Sequence, residues 1–397
     1  MKRFAGIDVA MESHDVVVVD EKGDVVVPAF KIREDAEGHK AIVDLLRPAD
    51  DLLIVMEATG HYWVNLYAAL AAAHYRVAVV NALQSKRFAQ SDLLRAKTDT
   101  IDALALARFA LQKRPQPTPL PDQDIQDLRE LVRFLDVQKE AQATAMRRLW
   151  RMVDLCFTEV RTIFKDIGSE SALAVLEAYP TAARMRSAKR KDLARITYGR
   201  RRKHKLESEI IEQLLTAAPI SVASKKGPVY ENQIRCLCED VRIAKRRIGE
   251  IEEEIDKTLH SNDLAQLLLS IEGLAESTVA RVIGHVGDPA KFKDGAALGS
   301  YVGVVPATSQ SGRSRPNAKF IFHLGNSDLR RALWMPTLAA IRNEHGWLGR
   351  YYRRLRERGK PAKVALTACM RKLLIAIHWV ATHRQPFLDP YPQGGTL

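Results

Sequence analysis

The feature that constrains this chain most is an acid inside its first apolar strand. Residues 4–20 form a Val-rich pattern typical of a β-hairpin, and Asp8 stands between Ile7 and Val9 in the first strand. Burying an unpaired carboxylate costs several kcal/mol, and β-propensity alone would place Val or Ile there. A metal ion is the natural source of compensating charge. Asp15 and Asp20, in contrast, are interpreted as turn or surface acids.

The first 115 residues alternate between extended and helical patterns. A hairpin is followed by a third extended piece and then by strand–helix pairs. Three strands joined by hairpins and then βα units make a mixed sheet flanked by helices, the order of ribonuclease H-like folds. The predicted fold class is therefore α/β plus α. It has a ribonuclease H-like (RuvC-like) N-terminal domain, long coiled-coil helices and a mostly helical C-terminal domain.

Three further acids fall where that fold can bring them to Asp8. Glu57 ends a predicted strand, and Asp99 and Asp102 are one helical turn apart at the start of a helix. Carboxylate oxygens suit Mg²⁺, which can stabilise the attacking and leaving oxygens of a phosphodiester displacement. Taken singly, Asp99 and Asp102 also fit an acidic first turn favoured by the helix dipole, and Glu57 fits an exposed strand end.

Prolines between residues 115 and 121 predict a domain boundary. Beyond it, apolar residues at heptad spacing predict long helices over 122–164 and 229–260. These helices pack either as an antiparallel hairpin within one chain or as a seam between protomers. The predicted domains are 1–115, a coiled-coil region 122–262 with a basic insertion at 165–224, and a C-terminal domain 263–397. Near its end, helices are predicted over 327–343, with Ser327 as N-cap, and over 362–383.

The charge balance indicates a polyanionic partner. Lys and Arg number 61 against 48 Asp and Glu, which gives a net charge of +13. The excess is densest at 186–205, where Asp192 is the one acid, whereas a solvated helix face normally mixes signs. No apolar run approaches the roughly 20 residues of a membrane span, so we expect a cytoplasmic, nucleoid-associated protein with no membrane partner. The residues expected to contact nucleic acid are Arg190, Lys191, Arg200, Arg201, Arg202, Lys203, Arg313, Arg315, Lys319, Arg330, Arg353 and Arg354.

A polar loop at 306–319 is crowded with hydroxyls and cations. Arg313, Arg315 and Lys319 can clamp a phosphate and can also favour the alkoxide of a nearby serine. Composition alone favours a phosphate-binding loop over a nucleophile.

Three short motifs, taken in order, resemble one family. They are Gly-Ile-Asp at 6–8, Val-Met-Glu-Ala-Thr-Gly at 55–60 followed by Tyr62, and Lys-Thr-Asp-x-x-Asp-Ala at 97–103. Together they are similar to the N-terminal domain of the DEDD transposases of insertion sequences, recombinases guided by a bridge RNA. The acids that this resemblance assigns to catalysis and to Mg²⁺ are Asp8, Glu57, Asp99 and Asp102.

The resemblance extends to the polar loop, where a Gln-Ser-Gly motif at 310–312 matches the family's catalytic serine. It implies Ser311 as the nucleophile, in preference to Ser309 or Ser314. It also implies DNA and a bridge RNA as partners, and a homodimer or higher oligomer in which one subunit's acids lie beside another's serine.

Three other functions fit parts of the sequence. A Holliday-junction nuclease would use metal-activated water, with Ser311 only binding phosphate. An actin-like ATPase also opens with a Gly-Ile-Asp strand, but it needs a second Gly-rich phosphate loop that the sequence lacks. A non-catalytic nucleic-acid scaffold leaves Asp8 unexplained.

Overall fold

The structure, a computed structural model, describes residues 2–46, 51–91, 99–119, 122–199, 202–305 and 325–389, except the side chains of Ser91 and Asp99. The chain forms two compact units, residues 1–121 and 122–397.

Unit 1 is built on a five-stranded mixed sheet. Its strands are β1 (Arg3–Val9), β2 (Ser13–Asp20), β3 (Val25–Arg33), β4 (Leu52–Glu57) and β5 (Arg76–Val80). They lie in the order β3-β2-β1-β4-β5, with β1, β2 and β3 antiparallel in sequence and β4 and β5 parallel to β1. Hairpins on one side of β1 and parallel βα connections on the other confirm the predicted ribonuclease H-like class.

Helices cover both faces of this sheet. They are α1 (Ala36–Leu46), α2 (Val64–Ala72), α3 (Ala82–Ser91) and α4 (Asp99–Lys113). Because side chains alternate along a strand, β1 sends Ala5, Ile7 and Val9 into one core with α1 and α2. Phe4 points the other way, into a core with α3 and α4. The central strand is therefore apolar on both faces, which explains its near-continuous hydrophobic sequence.

Helix α4 lies directly on β1, and Gly6 allows this close approach. A Cβ added at Gly6 would stand 2.1 Å from the carbonyl oxygen of Ala103 and 2.3 Å from the amide nitrogen of Ala107. Both are backbone atoms, so a larger residue at position 6 would push the helix off the sheet.

The described residues of unit 2 form helices apart from one short hairpin. Its elements are α5 (Gln123–Cys156), α6 (Val160–Ile163), α7 (Glu170–Ala178), α8 (Ala182–Met185), α9 (Arg190–Leu193), β6 (Thr197–Tyr198), β7 (His204–Lys205), α10 (Ser208–Ile220), α11 (Pro228–His260), α12 (Asp263–Leu269), α13 (Glu276–Val286), a 3₁₀ turn (Pro289–Lys291), α14 (Gly295–Val302), α15 (Ser327–Arg342), α16 (Trp347–Glu357) and α17 (Ala362–His383).

The two long helices, α5 and α11, pair within the chain as an antiparallel hairpin. The beginning of α5, at Leu128 and Leu135, shares a core with the end of α11, at Ile255. The opposite ends meet in a second core that holds Leu149 and Ile234. Between these two cores, an ion pair of 2.8 Å between Lys139 of α5 and Glu252 of α11 links the two helices. The apolar heptads are thus buried by intramolecular packing. Helix α5 ends at Cys156, eight residues earlier than its sequence pattern suggested.

Two details of the C-terminal helices differ from the sequence predictions. The N-cap of α15 is Asn326, whose side-chain oxygen accepts from the amides of Asp328 and Leu329, so the prediction of Ser327 is wrong by one residue. Helix α17 is long and apolar enough to cross a membrane by length and composition, contrary to the sequence expectation. More than half of its apolar window is buried in unit 2, as in the core helix of a folded domain.

Candidate functional site

Asp8 and Glu57 lie side by side at one end of the sheet. Strands β1 and β4 are parallel neighbours, and Ile7 is in register with Met56, so the two acids come next on their strands. Alternation places Glu57 on the same face as Val55, which packs against α4, and Asp8 on the same face as Gly6. Neighbouring strands are about 4.8 Å apart. The two half-buried carboxylates therefore share the face that α4 covers.

The first turn of helix α4 lies at the same end of the sheet as Asp8 and Glu57. Near its end, the Arg114 guanidinium lies 6.0 Å from the centre of the Phe4 ring, at the start of β1. At its beginning, the Thr100 hydroxyl contacts a carboxylate oxygen of Asp15 at 3.4 Å, and Asp15 is the direct cross-strand partner of Asp8. The helix therefore runs antiparallel to β1 and starts beside Asp8.

Asp102 is half-buried in this first turn, one residue before the Ala103 carbonyl that contacts β1. Helix α4 begins at Asp99, whose side chain is outside the described atoms. Three of the four predicted acids thus have described side chains, on elements that converge at one end of the sheet. All the donors are carboxylate oxygens, which is the ligand chemistry of hard divalent cations.

The Glu57 carboxylate is oriented by two hydroxyls. The Thr59 hydroxyl donates to Oε1 at 2.7 Å, and the Ser85 hydroxyl donates to Oε2 at 2.5 Å. Thr59 is exposed, whereas Ser85 in α3 is only 8% exposed. Sequence reasoning missed Ser85 because it stands 28 positions from its partner.

Asp15 also lies at this site, so its interpretation as a turn or surface acid is wrong. It is a residue of β2, 7% exposed and directly opposite Asp8. Its carboxylate forms a 3.2 Å ion pair with Lys31 of β3. The same argument that singled out Asp8, an acid within an apolar strand, was available for Asp15 in the run His-Asp-Val-Val-Val-Val.

A second polar cluster lies at the same end of the sheet but on the opposite face, since His14 pairs with Val9 and not with Asp8. The Nε2 atoms of His14 and His39 lie 2.6 Å and 2.8 Å from the same oxygen of Glu34, and Asn65 donates to the other oxygen at 2.9 Å. The side chains of His14, Glu34 and His39 are close enough together to hold a metal ion.

The contacts of His14 favour a hydrogen-bonded cluster over a metal site. The Ala10 amide donates to Nδ1 of His14 at 3.4 Å, which assigns the ring hydrogen to Nε2, directed at Glu34. An Nε2 that carries hydrogen has no lone pair for an ion. Burial raises the pKa of the Glu34 carboxyl, but hydrogen bonds from His14, His39 and Asn65 outweigh it and lower that pKa from 4.5 to about 2.

This lowered pKa predicts an acid-sensitive contribution to folding. Because the folded-state pKa lies below the unfolded value, the stabilisation is fully present above about pH 4.5 and is lost as the pH falls towards 2. Allowing for solvent screening, we expect about 1–3 kcal/mol. Urea unfolding of the full chain should show this loss in the wild type, and Glu34→Gln should lack it. Glu37→Gln, at an exposed acid of α1, is the control. Parallel pH curves for the wild type and Glu34→Gln would contradict the assignment.

The predicted basic residues of the described insertion are mostly solvent-exposed. Lys191, Arg202 and Lys203 are exposed, while Arg190 is engaged in an ion pair with Glu212. Beside them Tyr198 of β6 is stacked on His204 of β7, with ring centres 5.8 Å apart. Arg200 and Arg201 lie outside the described residues.

The predicted basic residues of the C-terminal helices have different surroundings. Arg330 donates to the Val302 carbonyl at 3.0 Å and so ties α15 to α14. The Arg354 guanidinium lies 5.4 Å from the centre of the Tyr351 ring. Arg353 is exposed. Ser311, Arg313, Arg315 and Lys319 lie outside the described residues.

The two stems of the segment that holds Ser311 lie against each other. The amide of Asn326 donates to the Tyr301 carbonyl at 2.8 Å, and the Asn326 side chain lies 3.3 Å from Nδ1 of His285. Burial lowers the pKa of the His285 imidazole. Sequence reasoning gave His285 no role, since a lone His on an apolar helix carries no signal.

Two transposase family profiles match this chain. The DEDD transposase family profile matches residues 5–158, and the profile of the IS116/IS110/IS902 transposase family matches residues 265–353.

Relatives align over most of the chain. A protein of the IS117 mini-circle of Streptomyces coelicolor, named as a transposase, is 27% identical over 97% of this chain and 95% of its own length. The pilin gene-inverting protein of Moraxella bovis is 24% identical over 85% of this chain and 82% of its own. The transposase for insertion sequence element IS1111A of Coxiella burnetii is 22% identical over 78% and 70%.

Among solved structures, T. thermophilus RuvC in complex with a Holliday junction substrate covers 29% of this chain and 96% of its own, at 15% identity and a TM-score of 0.23. The family profiles and the full-length relatives, together with the acids placed by the fold, identify the chain as a member of the IS110-type DEDD transposase family.

Proposed function

We propose that the protein cleaves and rejoins DNA to move an insertion sequence, using Mg²⁺, a serine nucleophile and a bridge RNA. The observation that supports this most directly is the position of Asp8 and Glu57 on adjacent parallel strand ends, beside the first turn of α4. The pilin gene-inverting relatives favour recombination over simple hydrolysis, because inverting a gene requires the cut strands to be rejoined.

Asp8, Glu57, Asp99 and Asp102 would hold the divalent ion, which when bound supplies positive charge to the scissile phosphate. Their carboxylates fit such an ion because a purely oxygen donor set prefers hard cations. Asp15 is already balanced by Lys31, so it is not needed as a ligand.

Ser311 would act as the nucleophile. Its Oγ forms a phosphoester bond to the scissile phosphorus while the bond to one sugar oxygen breaks. That sugar oxygen gains a proton and leaves as a hydroxyl. The serine hydroxyl loses one proton, so the protons balance. Because one phosphoester replaces another, the reverse attack by a sugar hydroxyl rejoins the strands without an added energy source.

The nucleic-acid partners follow from charge and from the family. The exposed Lys191, Arg202 and Lys203 supply sequence-independent phosphate contacts. Base pairing by a bridge RNA would then choose the donor and target sequences. A dimer or higher oligomer would combine acids and serine from different subunits.

The test is strand cleavage by the purified full chain. The protein is stripped with EDTA and mixed with DNA that carries both ends of its own element and with RNA transcribed from the flanking DNA. We expect no cleavage until Mg²⁺ is added, and none with Mg²⁺ when the RNA is omitted. Cleavage in EDTA would overturn the metal-dependent part of the proposal. Cleavage without RNA, by protein free of co-purified RNA, would overturn the guided part.

A further inference from the structure

Ser85 is placed opposite Glu57 by the start of α3. Strand β5 pairs with β4 so that Val80 is in register with Glu57, and the chain turns into α3 directly afterwards. The Asn81 side chain accepts from the Leu83 amide at 2.8 Å, which fixes this helix start. Ser85, one turn into the helix, is therefore held beside the carboxylate by backbone geometry.

The Ser85 hydroxyl is committed to Glu57. It has one hydrogen and two acceptors within reach, Oε2 of Glu57 at 2.5 Å and the Ala82 carbonyl at 3.1 Å. A charged acceptor makes the shorter and stronger hydrogen bond, so the hydrogen belongs to the carboxylate. Because Ser85 is only 8% exposed, water has little access to compete for this bond.

We propose that Ser85 is a positioning residue that holds the Glu57 carboxylate in the orientation that binds the divalent ion. The inference rests on the proposed function. Each carboxylate oxygen has two lone pairs, and the hydrogen bond uses one on Oε2 while leaving the other for a cation. The hydrogen bond already fixes the Glu57 side chain before an ion binds. Ion binding therefore does not have to overcome the conformational entropy of this side chain.

If Ser85 acted only in folding, Ser85→Ala would lower the stability of the protein and leave its affinity for metal unchanged. Ser85 is in a helix, where Ala has the higher intrinsic propensity, so Ser85→Ala should change folding stability little. The half-buried Glu57 can recover a water hydrogen bond in the variant, but a water does not fix the carboxylate plane. The positioning role therefore predicts weaker metal binding in a protein that is still folded.

The experiment measures the Mg²⁺ concentration that half-saturates DNA cleavage, and it measures Mn²⁺ binding to the full chain directly by calorimetry. For Ser85→Ala we expect both constants to rise by roughly 10–100-fold, with the cleavage rate at saturating metal within about threefold of the wild type. Ser85→Thr keeps the hydroxyl and should restore wild-type values. Ser261→Ala removes an exposed hydroxyl that donates to the Thr258 carbonyl at the end of α11, and it is the control, with an expected change below about threefold.

Other outcomes are equally informative. Unchanged metal constants in a folded Ser85→Ala protein would overturn the positioning role. If Ser85→Ala unfolds at a lower temperature than Ser261→Ala, Ser85→Cys replaces it, because cysteine fills the volume but is only a weak donor. Asp8→Asn separates this inference from the proposed function. Wild-type metal-dependent cleavage by Asp8→Asn would overturn the function itself, whereas its inactivity with a normal Ser85→Ala would overturn only the role of Ser85.

Discussion

Replacing Asp8 by Asn should lower the rate of DNA cleavage by about 10²–10³-fold or more while unit 1 stays folded. Asn has nearly the shape of Asp but no charge, and its amide offers one neutral oxygen in place of two anionic ones. Asp8 stands next to Glu57 and faces α4, so the substitution removes charge from the centre of the predicted ion site. Cleavage of end-labelled DNA at saturating Mg²⁺ measures the effect.

Asp24→Asn is the control for this substitution. Asp24 is an exposed acid of unit 1, next to the turn between β2 and β3, at the opposite end of the sheet from Asp8. Its replacement changes net charge by the same amount and should leave the rate within about twofold of the wild type. Equal rates for Asp8→Asn and the wild type, with both proteins folded by circular dichroism, would remove Asp8 from the reaction.

Replacing Ser311 by Ala should abolish strand exchange and every covalent protein–DNA adduct. Alanine lacks the oxygen that forms the bond to phosphorus, and loss of a nucleophile cannot be offset by better binding. The measurement is a denaturing gel of labelled DNA after quenching, in which wild-type protein carries label and Ser311→Ala does not. Ser309→Ala and Ser314→Ala, in the same polar segment of the sequence, should behave as the wild type.

The same gel distinguishes the rival mechanisms. If wild-type protein cleaves DNA without ever carrying label, water is the nucleophile and the chain acts as a nuclease. If Ser309→Ala or Ser314→Ala loses the adduct while Ser311→Ala keeps it, another hydroxyl in this polar segment is the nucleophile.

Local sequence patterns were sufficient for the class of fold and for the family. Alternation of apolar residues predicted the strands, and their order with the helices predicted the ribonuclease H-like sheet that the structure confirms. Asp8 and Glu57 were recognisable because Asp8 interrupts an apolar strand and Glu57 ends one, and both departures are visible in the local sequence. The three motifs around the acids identified the family, and the family profiles confirm it.

Contacts between distant residues were decided only by the tertiary structure. Heptads predicted α5 and α11 but left open whether they pair within one chain or between protomers, because the same apolar stripe fits any complementary partner. Asp15 was interpreted as a turn or surface acid because its position inside β2, which begins at Ser13, was not recognised. Ser85 at Glu57 and the two histidines at Glu34 gave no local signal.

The physical reason is the range over which each interaction acts. Propensity and periodicity are properties of a few neighbouring residues, so a single sequence records which face of a strand or helix is apolar. A hydrogen bond between side chains depends on the register and packing of whole elements. The sequence by itself therefore determined the sheet class and singled out Asp8 and Glu57, while the folded chain decided which hydroxyls contact Glu57 and which helix covers the apolar face of α5.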